Sequence, residues 1–166
     1  MRFAPAAAAL SLALAITASV GSAEEPPANA RSAMLIAQGE AALAAGETQA
    51  AIDAYEAALT VDPGHTPIFL KLAEVARQEG LQGKAIRYYR EAIARDPDNF
   101  AAISGEGAAL IEKGAVEKAK RNLAKLESMC GSTCPETLEL QMTIAEGAPT
   151  RMAADAAGVE PEVSQN

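Results

Sequence analysis

The chain has 166 residues, of which 49% are hydrophobic and 22% charged, and its net charge is −8. That size sets an expectation of one domain, and that composition excludes a collagen, a wholly disordered chain and a polytopic membrane protein. Alanine supplies much of the hydrophobic fraction, while Trp is absent and Phe and Tyr number three each, a balance that suits close-packed helices better than a β-sandwich.

In chain order, residues 1–23 read as a secretory signal peptide. Met1 and Arg2 form a short positive start, Ala6 to Val20 is uncharged, and Gly21-Ser22-Ala23 offers small residues before a cut after Ala23. The run is shorter than the roughly 20 apolar residues of a spanning helix, and no Cys stands at the cut to carry a lipid. The expectation is an exported protein, periplasmic in the first place and secreted as the alternative, with no membrane span once the signal is removed. Residues 24–30 read as a linker. The excess of acid argues against nucleic acid or an anionic membrane surface as a partner. The charge is uneven: residues 32–70 hold Glu40, Glu47, Asp53, Glu56 and Asp62 and no Lys or Arg, whereas Lys and Arg outnumber acids over 71–125.

From residue 32 the apolar spacing is helical. Leu35, Gly39, Ala42 and Leu43 lead to a break at Gly46, and Ala51, Ile52, Tyr55, Ala58 and Leu59 form a second stripe that Asp62-Pro63-Gly64 ends. The next pair starts at His65-Thr66-Pro67, where Thr66 is suited to cap the helix and Pro67 to its first turn. It breaks at Gly80 to Gly83 and stops at Asp96-Pro97. A third pair runs from about residue 100 through Gly114 to about 130. Pro135 to Gly147 then reads as a single helix, with Thr133 and Glu136 resembling a capping box. Residues 148–166, with Pro149, Gly158 and Pro161 and few large apolar groups, read as a disordered tail.

The pairs repeat at a shift of 34 residues. Asp62-Pro63 recurs as Asp96-Pro97, Gly46 as Gly80 and Gly114, Ala51 as Ala85 and Ala119, Tyr55 as Tyr89, and Ala58 as Ala92. In period and in helix-turn-helix unit the chain resembles the tetratricopeptide repeat (TPR) family. The family's small first-helix residue is matched by Gly39, Ala73 and Gly107, its wedging aromatic by Tyr55 and Tyr89, and its closing Pro by Pro63 and Pro97. The third unit departs most, with Leu123 in place of the tyrosines and Gly131 where Pro would fall.

The resemblance implies an all-α, right-handed superhelical array of three units at about 32–65, 66–99 and 100–130, within a domain spanning 31–147. A capping helix at 135–147 would cover the last apolar face. It also implies a non-catalytic adaptor that binds a protein or peptide along the face lined by the first helix of each unit. Carried onto this chain, that groove comprises Ile36, Glu40 and Leu43, then Leu70, Glu74 and Arg77, then Ser104, Ala108 and Ile111. Two acids and an apolar track favour an extended or helical segment with apolar and some basic side chains. Family members that grip an acidic C-terminus use Lys and Asn at places held here by Ile36, Glu40, Lys71, Ala101 and Gly105, so no carboxylate clamp is expected.

Cys130 and Cys134 flank Gly131-Ser132-Thr133. In an exported protein they most simply form a disulfide that braces the cap. A thiol-redox or apocytochrome-handling role, a metal site and free thiols are the alternatives. The CxxxC spacing is not the usual redox CxxC, haem attachment needs CxxCH, and metal binding wants further ligands while His65, the one His, lies in another unit. That single His supports no catalytic triad, and the glycines sit at helix breaks rather than in a phosphate loop. No enzyme activity, cofactor or metal is expected. A docking subunit that joins a larger envelope assembly through its convex side is a further alternative.

Overall fold

The computed structural model describes residues 27–156, with side chains described to 147. Seven helices and no strand occur among them: α1 (Ala30–Ala44), α2 (Thr48–Val61), α3 (Pro67–Gln78), α4 (Gln82–Arg95), α5 (Phe100–Glu112), α6 (Val116–Met129) and α7 (Pro135–Ala156). No helix among the described residues is long and apolar enough to cross a membrane. The expected signal at 1–23 lies outside the described residues.

Each helix pair is joined by the same local device. Gly46, Gly80 and Gly114 have φ of 75°, 72° and 79°, a left-handed conformation that costs glycine nothing because it has no Cβ. One residue on, the N–H of Glu47, Leu81 and Ala115 donates to the carbonyl of Ala42, Ala76 and Leu110, at 2.8, 2.8 and 2.7 Å. This is a Schellman closure, which satisfies carbonyls that a helix end would leave bare. Three such turns at one period make the pairs alike.

Between pairs the chain is held by polar groups. Asn29 Oδ1 accepts from the Ser32 N–H at 2.9 Å, and Asn99 Oδ1 accepts from Ala102 in the same way at 2.9 Å, so each begins its helix with a side-chain cap. Thr66 differs from the sequence expectation: its backbone is already helical, with φ −55° and ψ −38°, and its side chain does not cap α3. Pro67 takes the early position that its missing donor permits.

Packing follows the small residues. Gly39 on α1 is buried, and a Cβ there would stand 2.8 Å from Cδ1 of the Tyr55 ring. Gly105 on α5 plays the same part for Tyr89, and Gly107 for Leu140 on α7, with a Cβ there reaching 2.6 Å from the Leu140 methyls. Tyr55, Ile68, Leu72 and Val75 centre one cluster, and Phe69, Ile86, Tyr89 and Leu110 a second. Ile103, Leu126 and Leu140 form a third beneath α7. Helix α7 therefore covers the face of α5 and α6 that a further repeat would otherwise bury.

Two details at this end depart from the sequence reading. Helix α7 runs to Ala156 rather than Gly147, taking in residues expected to be tail, while 157–166 lie outside the described residues. Since α7 begins at Pro135, Cys134 and not Thr133 precedes it. In place of a capping box, buried Thr137 donates its Oγ1–H to the Gly131 carbonyl at 2.9 Å.

Candidate peptide-binding groove

The first helices of the pairs, α1, α3 and α5, are tied edge to edge by cross-unit ion pairs. Lys71 Nζ on α3 lies 3.1 Å from Glu40 Oε1 on α1, and Arg77 Nε on α3 lies 2.8 Å from Glu112 Oε1 on α5. Both tyrosines look toward this face from the second helices. The Tyr55 hydroxyl is buried, has no hydrogen-bond partner and feels Lys71, Glu40 and Glu74. The Tyr89 hydroxyl sits beside the Arg77 guanidinium. Burial pushes both phenols above their ordinary value, and for Tyr89 the neighbouring Arg77 opposes that rise. The Glu40 carboxylate bonded to Lys71 raises that ammonium against the opposing effect of burial.

Of the nine expected groove residues, those of the first two units divide by polarity. Ile36 and Leu43 pack against the first core cluster, Leu70 against the second, and all three are half-buried. Glu40 and Glu74 are exposed. Arg77 is partly covered because its guanidinium spans to α5.

The third unit contributes less surface than the register predicts. Ser104 and Ala108 are 3% and 5% exposed, and Ile111 lies under α7, where a Cβ on Gly147 would collide with its side chain. What α5 offers instead is Glu112. With Glu74, Arg77 and Gln78 it lines a cleft of about 280 Å³ between α3 and α5. Gln78 and Glu112 stand outside the expected set although they share one register position, 34 residues apart. That repeat is the signal that points to them. Arg77 is committed to Glu112, whereas Glu74 makes no ion pair among the described residues, so the cleft lining carries a net negative charge.

The tetratricopeptide repeat pattern matches residues 36–100 and 70–119. The chain belongs to the tetratricopeptide repeat family. Solved TPR domains share its fold. The first TPR domain of human RPAP3 has 18% identity and a TM-score of 0.64 over 75% of this chain and 97% of that one. The first TPR of Spaghetti (RPAP3), solved with an HSP90 peptide, has 19% identity and a TM-score of 0.63 over 72% and 94%. The Sgt2 TPR domain from Aspergillus fumigatus has 25% identity and a TM-score of 0.61 over 81% and 87%. No curated protein matches the sequence.

Against the family pattern, the place where a clamp Lys or Asn would act holds Lys71, already paired with Glu40, and Gly105, already covered by the Tyr89 ring. Cys130 and Cys134 lie at disulfide distance, with Cα atoms 5.8 Å apart. Glu136 Oε2 is 2.9 Å from the Cys134 sulfur, and the three groups are close enough together to hold a metal ion. Among the described residues no fourth His, Cys or acid joins them, and each sulfur engaged in a disulfide is lost as a thiolate ligand. A carboxylate beside the sulfur is also the opposite of the electropositive surroundings that a reactive thiolate requires.

Proposed function

We propose that this TPR protein is an exported adaptor of the cell envelope that binds a partner's segment without catalysis. The segment lies along α1, α3 and α5 and places a Lys or Arg side chain in the cleft at Glu74. One observation carries the reading. Glu74 is an exposed groove acid with no ion pair among the described residues, lining a cleft whose other charges, Arg77 and Glu112, already neutralise each other. A cation entering there gains a partner without breaking one, and half-buried Leu70 and Ile36 offer apolar contact alongside. The TPR domain solved with an HSP90 peptide supports the choice of a peptide ligand. The ligand here differs, since an acidic segment would meet Glu40 and Glu74 first.

Affinity capture from envelope extract, read by mass spectrometry, tests this. The native chain retains a partner with a basic segment, and Glu74→Lys together with Glu40→Lys loses it. Retention of every partner by the double variant refutes the groove reading. Export is checked by N-terminal sequencing, which finds Glu24 as the first residue, and an intact Met1 refutes it. A disulfide between Cys130 and Cys134 completes the proposal, since it stiffens the loop that carries the cap.

A further inference from the structure

The acids and bases of the middle of the array are not evenly matched. In units two and three four carboxylates find a cation: Glu91 pairs with Arg95, Glu106 with Arg90, Glu112 with Arg77 and Glu117 with Lys120. Among the described residues Arg87, Lys113, Lys118 and Arg121 are exposed and make no ion pair, although Arg121 is near enough to Glu117 to help lower its carboxyl below the ordinary value. All four stand on α4, on α6 or on the turn before α6.

They are not scattered over a flat surface. A crevice of about 230 Å³ opens between α4 and the α5–α6 turn, lined by Ile86, Arg90, Leu110, Lys113, Gly114, Ala115 and Lys118. It shares no residue with the Glu74 cleft. Three cations line it and no carboxylate does. Its floor is apolar, with Ile86 and Leu110 almost fully buried. Arg90 is held at the rim by a fixed support: its Nε donates to Glu106 Oε1 at 2.6 Å, and Glu106 Oε2 accepts from Asn122 Nδ2 at 3.0 Å. Lys113 reaches across the first turn of α4, its Nζ within 3.6 Å of where a Cβ on Gly83 would stand. Arg87 and Arg121 stand about one helical turn from Arg90 and Lys118 along α4 and α6.

We propose that this crevice is a second docking site, which takes a short acidic segment of a protein partner with an apolar side chain set among its carboxylates. The apolar side chain covers Ile86 and Leu110, and the carboxylates meet Lys113 and Lys118, with Arg90 held at the rim by Glu106. Charge also selects a short segment over a long polyanion. The chain as a whole carries −8, so an extended nucleic acid or an anionic membrane meets the acidic first unit and the acidic start of α7 as well. A short segment senses charges only within the screening length of about 8 Å at physiological salt, and the lining it meets holds Lys113 and Lys118 and no carboxylate. With the groove, the protein then has two sites of opposite sign and joins two partners rather than holding one.

The test is an NMR titration of the ¹⁵N-labelled full chain with the blocked pentapeptide Asp-Glu-Leu-Asp-Glu near physiological salt. Saturable shifts are expected at Ile86, Leu110, Ala115 and Lys118. Lys113→Gln with Lys118→Gln weakens binding about tenfold, roughly 1.4 kcal/mol, and replacing the peptide's Leu by Ser weakens it too. Both lysines are exposed, and an unchanged circular dichroism spectrum establishes that the variant folds. The reversed-charge peptide Lys-Arg-Leu-Lys-Arg, used on the native chain, leaves these residues unshifted and tests the assignment without any variant. Absence of saturable shifts, shifts centred on Glu74 and Arg77, or equal affinity in the double variant overturns the proposal. So does tighter binding of oligothymidylate or of phosphatidylglycerol vesicles through the same lysines.

Discussion

Replacing Leu140 by Ala measures how much of the array depends on α7. The Leu140 side chain is fully buried, shares a cluster with Ile103 and Leu126, and lies against the bare backbone of Gly107. The substitution removes three carbons that folding takes out of water, about 2.4 kcal/mol at roughly 0.8 kcal/mol each. Because Gly107 offers no side chain to fill the void, a cavity term adds to this, and a total of about 3 kcal/mol is expected within the usual range of roughly 2–5. For a domain of this size that lowers Tm by about 10 °C. Urea unfolding followed by circular dichroism gives the free energy, and amide exchange along α7 localises the loss. Met142→Ala is the control: Met142 is 60% exposed on the same helix and its truncation costs less than about 0.5 kcal/mol. A Leu140→Ala cost below about 1 kcal/mol, or a Met142→Ala cost equal to it, refutes the role of α7 as the cap.

Two further outcomes follow from the same contacts. Reduction of Cys130 and Cys134, or their joint replacement by Ser, destabilises the protein by about 2 kcal/mol, the loop-entropy value for so short a ring; an unchanged urea midpoint with and without reductant would refute the proposed bond. At alkaline pH, Tyr55, Tyr88 and Tyr89 share a burial-raised value, so each ionises more readily unfolded than folded. Their contribution is whole below the unfolded value near 10 and falls away as pH rises through the folded values. Lys71, raised by its bond to Glu40, loses its contribution over the same direction of pH. Ultraviolet titration therefore shows phenol midpoints above those of the urea-unfolded chain, and coincident midpoints would contradict the packing of the tyrosines.

The repeat was legible because its determinants are local. A Gly that must adopt positive φ, a Pro that stops a helix and an Ala that lets two backbones meet recur at 34 residues wherever the unit recurs, and Gly46, Gly80 and Gly114 behave alike. Thr66 shows the limit of such reasoning: its residue type suits a cap, but the preceding turn already places its backbone in helical conformation. The groove was half legible. Register marks which residues point toward one face, and it picks out Glu40 and Glu74. It carries no information on what neighbouring helices cover, so Ser104, Ala108 and Ile111 share the groove register yet lie buried or under α7.

The amino-acid sequence by itself determined the helical repeat, the turn chemistry and the tyrosine wedge, since each depends on residues within one unit or on the period between units. Tertiary structure alone decided which charges are spent. Lys71 and Glu40, Arg77 and Glu112, and Arg90 and Glu106 meet only because helices of successive units or neighbouring pairs lie side by side. Glu74, Lys113 and Lys118 are left over by the same packing. An ion pair needs two groups within a few ångströms, and that distance is a property of how the helices are stacked rather than of either residue.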